Sequence, residues 1–337
     1  MTKSACFYFM ILFYKEIYKE IYKETIQKRT DFMMHFSLAQ LRRRYNRIAP
    51  YLPEAAAIDR HVSDNMLQRL PFIIHQPLQI IDVGSGLGLG AKRLATMYPD
   101  AHIVALDIAE ELLKTGQKKA QQEKSLLQKI KTFGRLSPIS YVAGDMANLP
   151  FPSASVDMIW SNLALPWQST PDAFFAECRR VLKPNGLLMF STLGVDSMTL
   201  IKQAFQSIDA HPSSHEFIDM HDLGDALLQY GFYNPVIDVE RLTLTYPDVP
   251  RLVQDFRQNA ATNLHPKRRR GLLTPRLWQK VLAAFESLRG QDGLISIGVE
   301  VVYGHAWRGE EKSGKLSSSE QIIQFHPPNT RKPIASP

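Results

Sequence analysis

The chain has 337 residues, 45% of them hydrophobic, enough for one large α/β domain around a packed core. Its two cysteines, Cys6 and Cys178, stand far apart and outside any CxxC or Cys/His cluster. That argues against a disulfide framework or a zinc site and fits a reducing cytoplasm. The formal net charge of +7 points to an acidic partner or substrate, and leaves nucleic acid, membrane surface and acidic protein open.

Residues 1–36 read differently from the rest. Tyr-Lys-Glu-Ile recurs through positions 14–24, the pattern of a short charged helix. The apolar run Ala5–Tyr14 is too short to span a bilayer, and no signal-peptide cleavage site is visible. The expectation is an upstream extension, with the functional start near Met33 or Met34. Residues 37–70 read as two helices. Leu38, Leu41, Tyr45 and Ile48 recur at helical spacing, then Ile58, Val62, Met66 and Leu70.

Next comes Ile80-Ile81-Asp82-Val83-Gly84-Ser85-Gly86-Leu87-Gly88, a buried strand running into a glycine turn. A second strand, Ile103-Val104-Ala105-Leu106, is tipped by Asp107. Strand, glycine turn, helix and acid-tipped strand bind a nucleoside at the carboxyl edge of a parallel sheet. A dinucleotide turn would want a third glycine at position 89, which is Leu89. Asp82 would also repel a pyrophosphate. It suits a ligand with a cationic amino-acid end and a sulfonium, which favours S-adenosylmethionine over NAD. Asp107, 19 residues after Gly88, stands where a ribose-binding acid belongs. Tyr141-Val142-Ala143 gives a third strand, ended by Asp145 for an adenine amino group, with Met146 against the ring. Val156–Asn162 gives a fourth. Arg180–Gly186 closes a helix with a glycine and starts the strand Leu187–Phe190.

This ordered set, from about residue 78 to 194, resembles the class I S-adenosylmethionine-dependent methyltransferases. The resemblance implies a Rossmann-like α/β fold with a seven-stranded, mostly parallel sheet, an antiparallel last strand and a helical lid. It implies S-adenosylmethionine as methyl donor. The cofactor-binding candidates are Asp82, Gly84, Ser85, Gly86, Gly88, Asp107, Ile108, Asp145, Met146, Asn162 and Leu163.

Further on, helices are expected over 197–209 and 220–230, the second ending at Gly231. A strand follows over Val236–Tyr246. Residues 248–289 give two helices around the basic run Lys267-Arg268-Arg269-Arg270, and Ile295–Trp307 gives the last strand. The polar stretch Lys118–Arg135 reads as a surface insertion. The organisation is therefore an extension (1–36), one domain (37–308) and a mostly flexible tail (309–337), in which Gln321–Phe325 alone has strand character. Within the domain, 37–75 is the lid, 76–194 the cofactor core, 195–292 the substrate-side helices and sixth strand, and 293–308 the last strand.

The outer segments carry a closer resemblance. Ser161-Asn162-Leu163-Ala164-Leu165-Pro166-Trp167, Phe190–Gly194, Met220–Asp225, Leu242–Asp248 and Val302–Trp307 resemble the malonyl-acyl-carrier-protein methyltransferases of biotin synthesis, the BioC family. The likeness runs from about residue 40 to 308. One departure stands near position 52, where that family's Tyr-Asp pair is replaced by Leu52 and Pro53, with Tyr51 adjacent. The implied activity is esterification of the free carboxylate of malonyl-acyl-carrier protein, or of malonyl-CoA, in the cytoplasm.

A carboxylate is already anionic near neutral pH, so no acid or base is expected in catalysis. His221 begins a helix and His305 ends a strand. The acceptor-positioning candidates are Trp167, Tyr246 and Tyr51, each with packing as the competing role. Asn162 binds a ligand or caps a helix. The run 267–270 steers an acidic carrier protein or forms a solvated loop, and Arg42-Arg43-Arg44 is a second basic patch. No metal, nucleic acid or membrane is implied. The competing readings are a respiratory-complex assembly factor of the same fold that hydroxylates arginine, a small-molecule methyltransferase and a nucleic-acid methyltransferase.

Overall fold

The computed structural model describes residues 37–52, 57–123, 139–168, 171–206, 217–259 and 274–310, with positions 208, 211, 263, 265, 267–269 and 271. The 1–36 extension, most of Lys118–Arg135, Arg270 and Gln321–Phe325 lie outside the described residues.

Two helices precede the sheet, α1 (Leu38–Ile48) and α2 (Ala57–Arg69). Then come β1 (Gln79–Val83), α3 (Leu89–Met97), β2 (His102–Asp107), α4 (Glu110–Glu123), β3 (Ile139–Ala143), β4 (Val156–Ser161), α5 (Pro171–Val181) and β5 (Leu182–Leu193). Then follow α6 (Thr199–Gln206), α7 (Met220–Gln229), β6 (Phe232–Tyr246), α8 (Val249–Gln258), α9 (Pro275–Glu286) and β7 (Ile295–Arg308).

The strands form one sheet in the order β3-β2-β1-β4-β5-β7-β6. The pairings among β1 to β5 are parallel, and β7 runs antiparallel between β5 and β6. The chain steps outward from β1 to β3, then returns to place β4 on the other side of β1. That reversal opens a crevice at the carboxyl ends of β1 and β4, where ligands bind in open α/β sheets.

Alternation along the strands builds two cores. Ile81, Val83, Leu188 and Phe190 face α5 and α7, whose Phe174, Phe175, Leu223 and Leu227 are fully buried. Ile80, Met158, Trp160 and Met189 point to the other face, against α2 and α3 through Val62, Met66 and Leu94. A third cluster joins α6, α8 and α9 to the end of the sheet through Leu252, Val281, Phe285 and Ile297. Helix starts follow local chemistry. Asp219, Asp248 and Thr274 cap α7, α8 and α9 by accepting the N–H groups of His221, Arg251 and Leu277. The expected helix end at Gly186 is corrected: α5 ends at Val181, β5 begins at Leu182, and it is Asn185 that takes the left-handed conformation (φ 60°), while an added Cβ at Gly186 would press on the Lys183 carbonyl. Among the described residues, no helix is long and apolar enough to cross a membrane.

Candidate active site

The glycine turn is shaped by what packs on it. Gly84 (φ 72°) lies against the Ala164 methyl so closely that any Cβ would overlap it. Gly90, in the first turn of α3, leaves room for the Asp82 carboxylate and the Trp160 indole, which a Cβ would meet at 2.9 and 3.1 Å. Asp82 is 2% exposed, and its Oδ2 accepts the Ala91 N–H at 2.8 Å. Burial raises its pKa to about 7, against the pull of that hydrogen bond and helped by the nearby Asp107 charge. Asp107 is buried at the tip of β2. Its Oδ2 accepts from Gly86 N (2.9 Å) and its Oδ1 from Ala109 N (2.8 Å). Burial raises its pKa too, opposed by these donors.

A cavity of about 790 Å³ opens over this edge. One half is walled by the turn, Asp107, Ile108, Asp145 and Met146. Helices α1 and α2 roof it. Asn162, just past β4, ties the roof down: its Nδ2 donates to the Asp59 carbonyl at 2.9 Å, and its Oδ1 accepts from Ser191 Oγ at 2.8 Å. The same Ser191 Oγ accepts the Leu163 N–H at 2.9 Å, holding Leu163 at φ 53°. Three buried polar atoms of lining residues have no partner: Ser63 Oγ, Ser85 Oγ and Trp160 Nε1. The glycine cradle and the buried Asp107 carboxylate at the tip of β2 fit a nucleoside.

The other half is apolar. Ile201, Phe205, Leu252, Phe256, Trp278 and Phe285 wall it. Arginines stand among these walls, Arg257 from α8 and Arg268 and Arg269 from the basic run. Arg268 donates to the His265 carbonyl at 3.1 Å, and Arg44 of α1 lies within range of its charge. Between the halves, Trp167 meets Tyr45 of α1 edge to face, with ring centroids 5.6 Å apart.

Residues 81–190 match the family described as a methyltransferase domain. A protein of Laribacter hongkongensis named malonyl-[acyl-carrier protein] O-methyltransferase is 43% identical, over 86% of this chain and 96% of that protein. One of the same name from Gallionella capsiferriformans is 42% identical, over 80% of this chain and 90% of its own length. The chain belongs to the malonyl-[acyl-carrier protein] O-methyltransferase family. Among solved structures, the YcgJ protein of Bacillus subtilis superposes with a TM-score of 0.52 at 14% identity, over 75% of this chain and all of that one. The [4+2]-cyclase SpnF gives 0.52 at 17% identity, over 82% of this chain and 98% of its own. A cyclase on this scaffold shows that these likenesses speak for the fold alone.

In this member of the family, Asp82, Gly84, Ser85, Gly86, Asp107, Ile108, Asp145, Met146, Asn162 and Leu163 all line the cavity. Gly88 does not. It is buried at the start of α3 (φ 73°), where an added Cβ would reach the Tyr141 ring at 3.2 Å. Of the acceptor candidates, Trp167 is on the wall. Tyr246 is off it: the ring is 8% exposed and its hydroxyl donates to Asp255 Oδ2 at 2.6 Å. Tyr51 is off it as well, 59% exposed in the turn after α1. Helix α1 stops at Ile48, so Tyr45, two turns back, is the tyrosine that reaches inside. Sequence reasoning missed Tyr45 as a site residue, with Asp59 and Ser63. Their helical spacing was visible, but nothing marked their face as polar and inward.

Proposed function

We propose that the protein transfers the methyl group of S-adenosylmethionine to the free carboxylate of malonyl-acyl-carrier protein, giving the methyl ester that primes pimeloyl synthesis for biotin. The observation that carries this reading is the 43% identity to a malonyl-[acyl-carrier protein] O-methyltransferase over 96% of that protein's length. The two-sided cavity supports it. When bound, S-adenosylmethionine supplies an electrophilic methyl group on a sulfonium, which a carboxylate can attack without a general base.

The residues supply orientation and dryness. Asp107 would take the ribose hydroxyls and Asp145 the adenine amino group, with Met146 against the ring. Gly84 and Gly86 would let the backbone come close. Trp167 and Tyr45 would wall the junction where donor and acceptor meet. The apolar half would enclose the pantetheine arm, and Arg257, Arg268 and Arg269 would draw the anionic substrate in. Lys267 is exposed beside them and would face the acidic carrier protein. Such chemistry belongs in the cytoplasm, where carrier thioesters are made.

The test is intact-mass analysis of malonyl-acyl-carrier protein after incubation with the protein and S-adenosylmethionine. The expected result is a gain of one methylene that base hydrolysis removes. A parallel incubation with malonyl-CoA ranks the two carriers. No gain on either, despite measurable donor binding, would overturn the reading.

A further inference from the structure

The acceptor in the proposed reaction carries two anions: the malonyl carboxylate that takes the methyl, and the phosphate that joins the pantetheine arm to its carrier. The acceptor half of the cavity ends in cations. Arg257, in the last turn of α8, lines it with Arg268 and Arg269 of the basic run. Arg257 and Arg269 are exposed and Arg268 is half-buried, whereas Leu252, Val281 and Phe285 of the same walls are buried. The arginines therefore stand at the rim, with the apolar side chains deeper in. Among the described residues, the Arg257 guanidinium has no hydrogen-bond or ion-pair partner.

The loop that carries the other two is fixed from within. Asn263 Oδ1 accepts the His265 N–H at 2.8 Å, and His265 Nδ1 accepts the Lys267 N–H at 3.0 Å. The His265 carbonyl accepts both the main-chain N–H (3.0 Å) and the guanidinium (3.1 Å) of Arg268. Burial, then the charges of Lys267 and Arg268, lower the His265 pKa and keep that Nδ1 an acceptor. Across the gap, Arg44 of α1 also feels the Arg268 charge. Like charges gathered at one opening repel one another, and an anion seated among them offsets that cost. Guanidinium groups match phosphate oxygens with paired N–H donors.

We propose that Arg257, Arg268 and Arg269 form the receptor for the phosphate of the phosphopantetheine arm. The site rests on the proposed carboxyl methylation and assigns the substrate's second anion to the mouth of the cavity. With the phosphate held at the rim, the arm lies along Phe205, Leu252 and Phe256, and its thioester end reaches inward to Trp167 and Tyr45. Acyl-carrier protein and coenzyme A share this phosphate. Lys267, exposed on the same loop, is left for the acidic surface that the carrier protein alone presents.

The experiment is steady-state methylation by the full chain of malonyl-pantetheine, malonyl-phosphopantetheine, malonyl-CoA and malonyl-acyl-carrier protein. The unaltered protein should prefer malonyl-phosphopantetheine to malonyl-pantetheine by roughly tenfold or more in kcat/KM, through KM. Arg257→Gln and Arg268→Gln should each cut that ratio severalfold, and the double variant should bring it within about twofold of unity. Arg257→Lys, which keeps the charge without the paired donors, should retain part of it. Malonyl-CoA and malonyl-acyl-carrier protein should lose in parallel with malonyl-phosphopantetheine, whereas Lys267→Gln should weaken the carrier protein alone. Calorimetry with S-adenosylhomocysteine separates a lost phosphate site, which spares donor affinity, from a lost fold. An unchanged ratio in the double variant would overturn the proposal. So would a loss confined to the carrier protein, which would set the arginines against its surface. If the unaltered protein methylated none of these substrates, the carboxyl-methylation reading would fall, and this assignment with it.

Discussion

Replacing Gly84 by alanine tests the geometry on which the donor half depends. Two costs add. The residue sits at φ 72°, where an L-residue costs about 1–2 kcal/mol more than glycine. Its new methyl would also overlap that of Ala164, whose Cα lies only 3.6 Å from the built Cβ. Overpacking of this kind costs about 1–3 kcal/mol. The expected loss is therefore about 2–5 kcal/mol in denaturant unfolding of the donor-free protein. Ala164→Gly in the same chain removes the overlap but not the φ penalty, so it should restore about 1–3 kcal/mol. Donor affinity, measured by calorimetry, should follow the same order, because Gly84 and Ala164 both line the cavity. A stability loss below about 1 kcal/mol for Gly84→Ala would refute the close approach. So would a double variant no better than the single one.

Three further outcomes follow from other parts of the molecule. Asp82 rises from an ordinary 3.8 to about 7 in the fold, so between those values the native state holds its proton more tightly than the unfolded chain does. Stability should then fall as pH rises from about 4 to 7, by up to ~4 kcal/mol from this carboxyl. Melting curves of the donor-free protein against Asp82→Asn should show the variant gaining relative stability toward pH 7.5, and a constant difference would contradict the assignment. Glu240 of β6 joins His61 (3.1 Å) and Asn65 (2.8 Å) of α2 to the Tyr303 hydroxyl (2.5 Å), so Glu240→Gln should cost about 1–3 kcal/mol and speed amide exchange in α2. Unchanged exchange there would dismiss the strap. Reversing Arg268 and Arg269 to Glu should raise KM for the carrier-linked substrate roughly tenfold at low salt and spare donor affinity. Equal KM values would return the basic run to a solvated loop.

What was legible in the chain and what was not divide along the cavity. The donor half is written in contiguous segments, each a strand, a turn and the start of a helix. Asp82 to Gly88, Asp107 and Asp145 therefore announced themselves by local order, and the expected helices and strands from 197 to 307 lie within a few residues of those observed. Even there, spacing alone misled at Gly88, whose freedom serves the packing of Tyr141 and not the cavity wall. The roof and the acceptor half are assembled from α1, α2, α6, α8, α9 and the loop between the last two. No single segment shows which of its faces points inward. Tyr51 and Tyr246 drew attention as tyrosines near motifs, yet where a helix stops and which side of a strand end is packed decided against both. Asp59 read as an ordinary first-turn acid, of the kind that favours a helix start. Only when α2 is laid over β4 does it come to line the cavity. Residues brought to the cavity by a turn are thus readable one segment at a time, while those brought there by a lid need the packed molecule. Substitutions in α1 should accordingly change ligand choice more often than they change the fold, because α1 adds only Leu41 and Ile48 to the buried set while the strands and α2 carry the core.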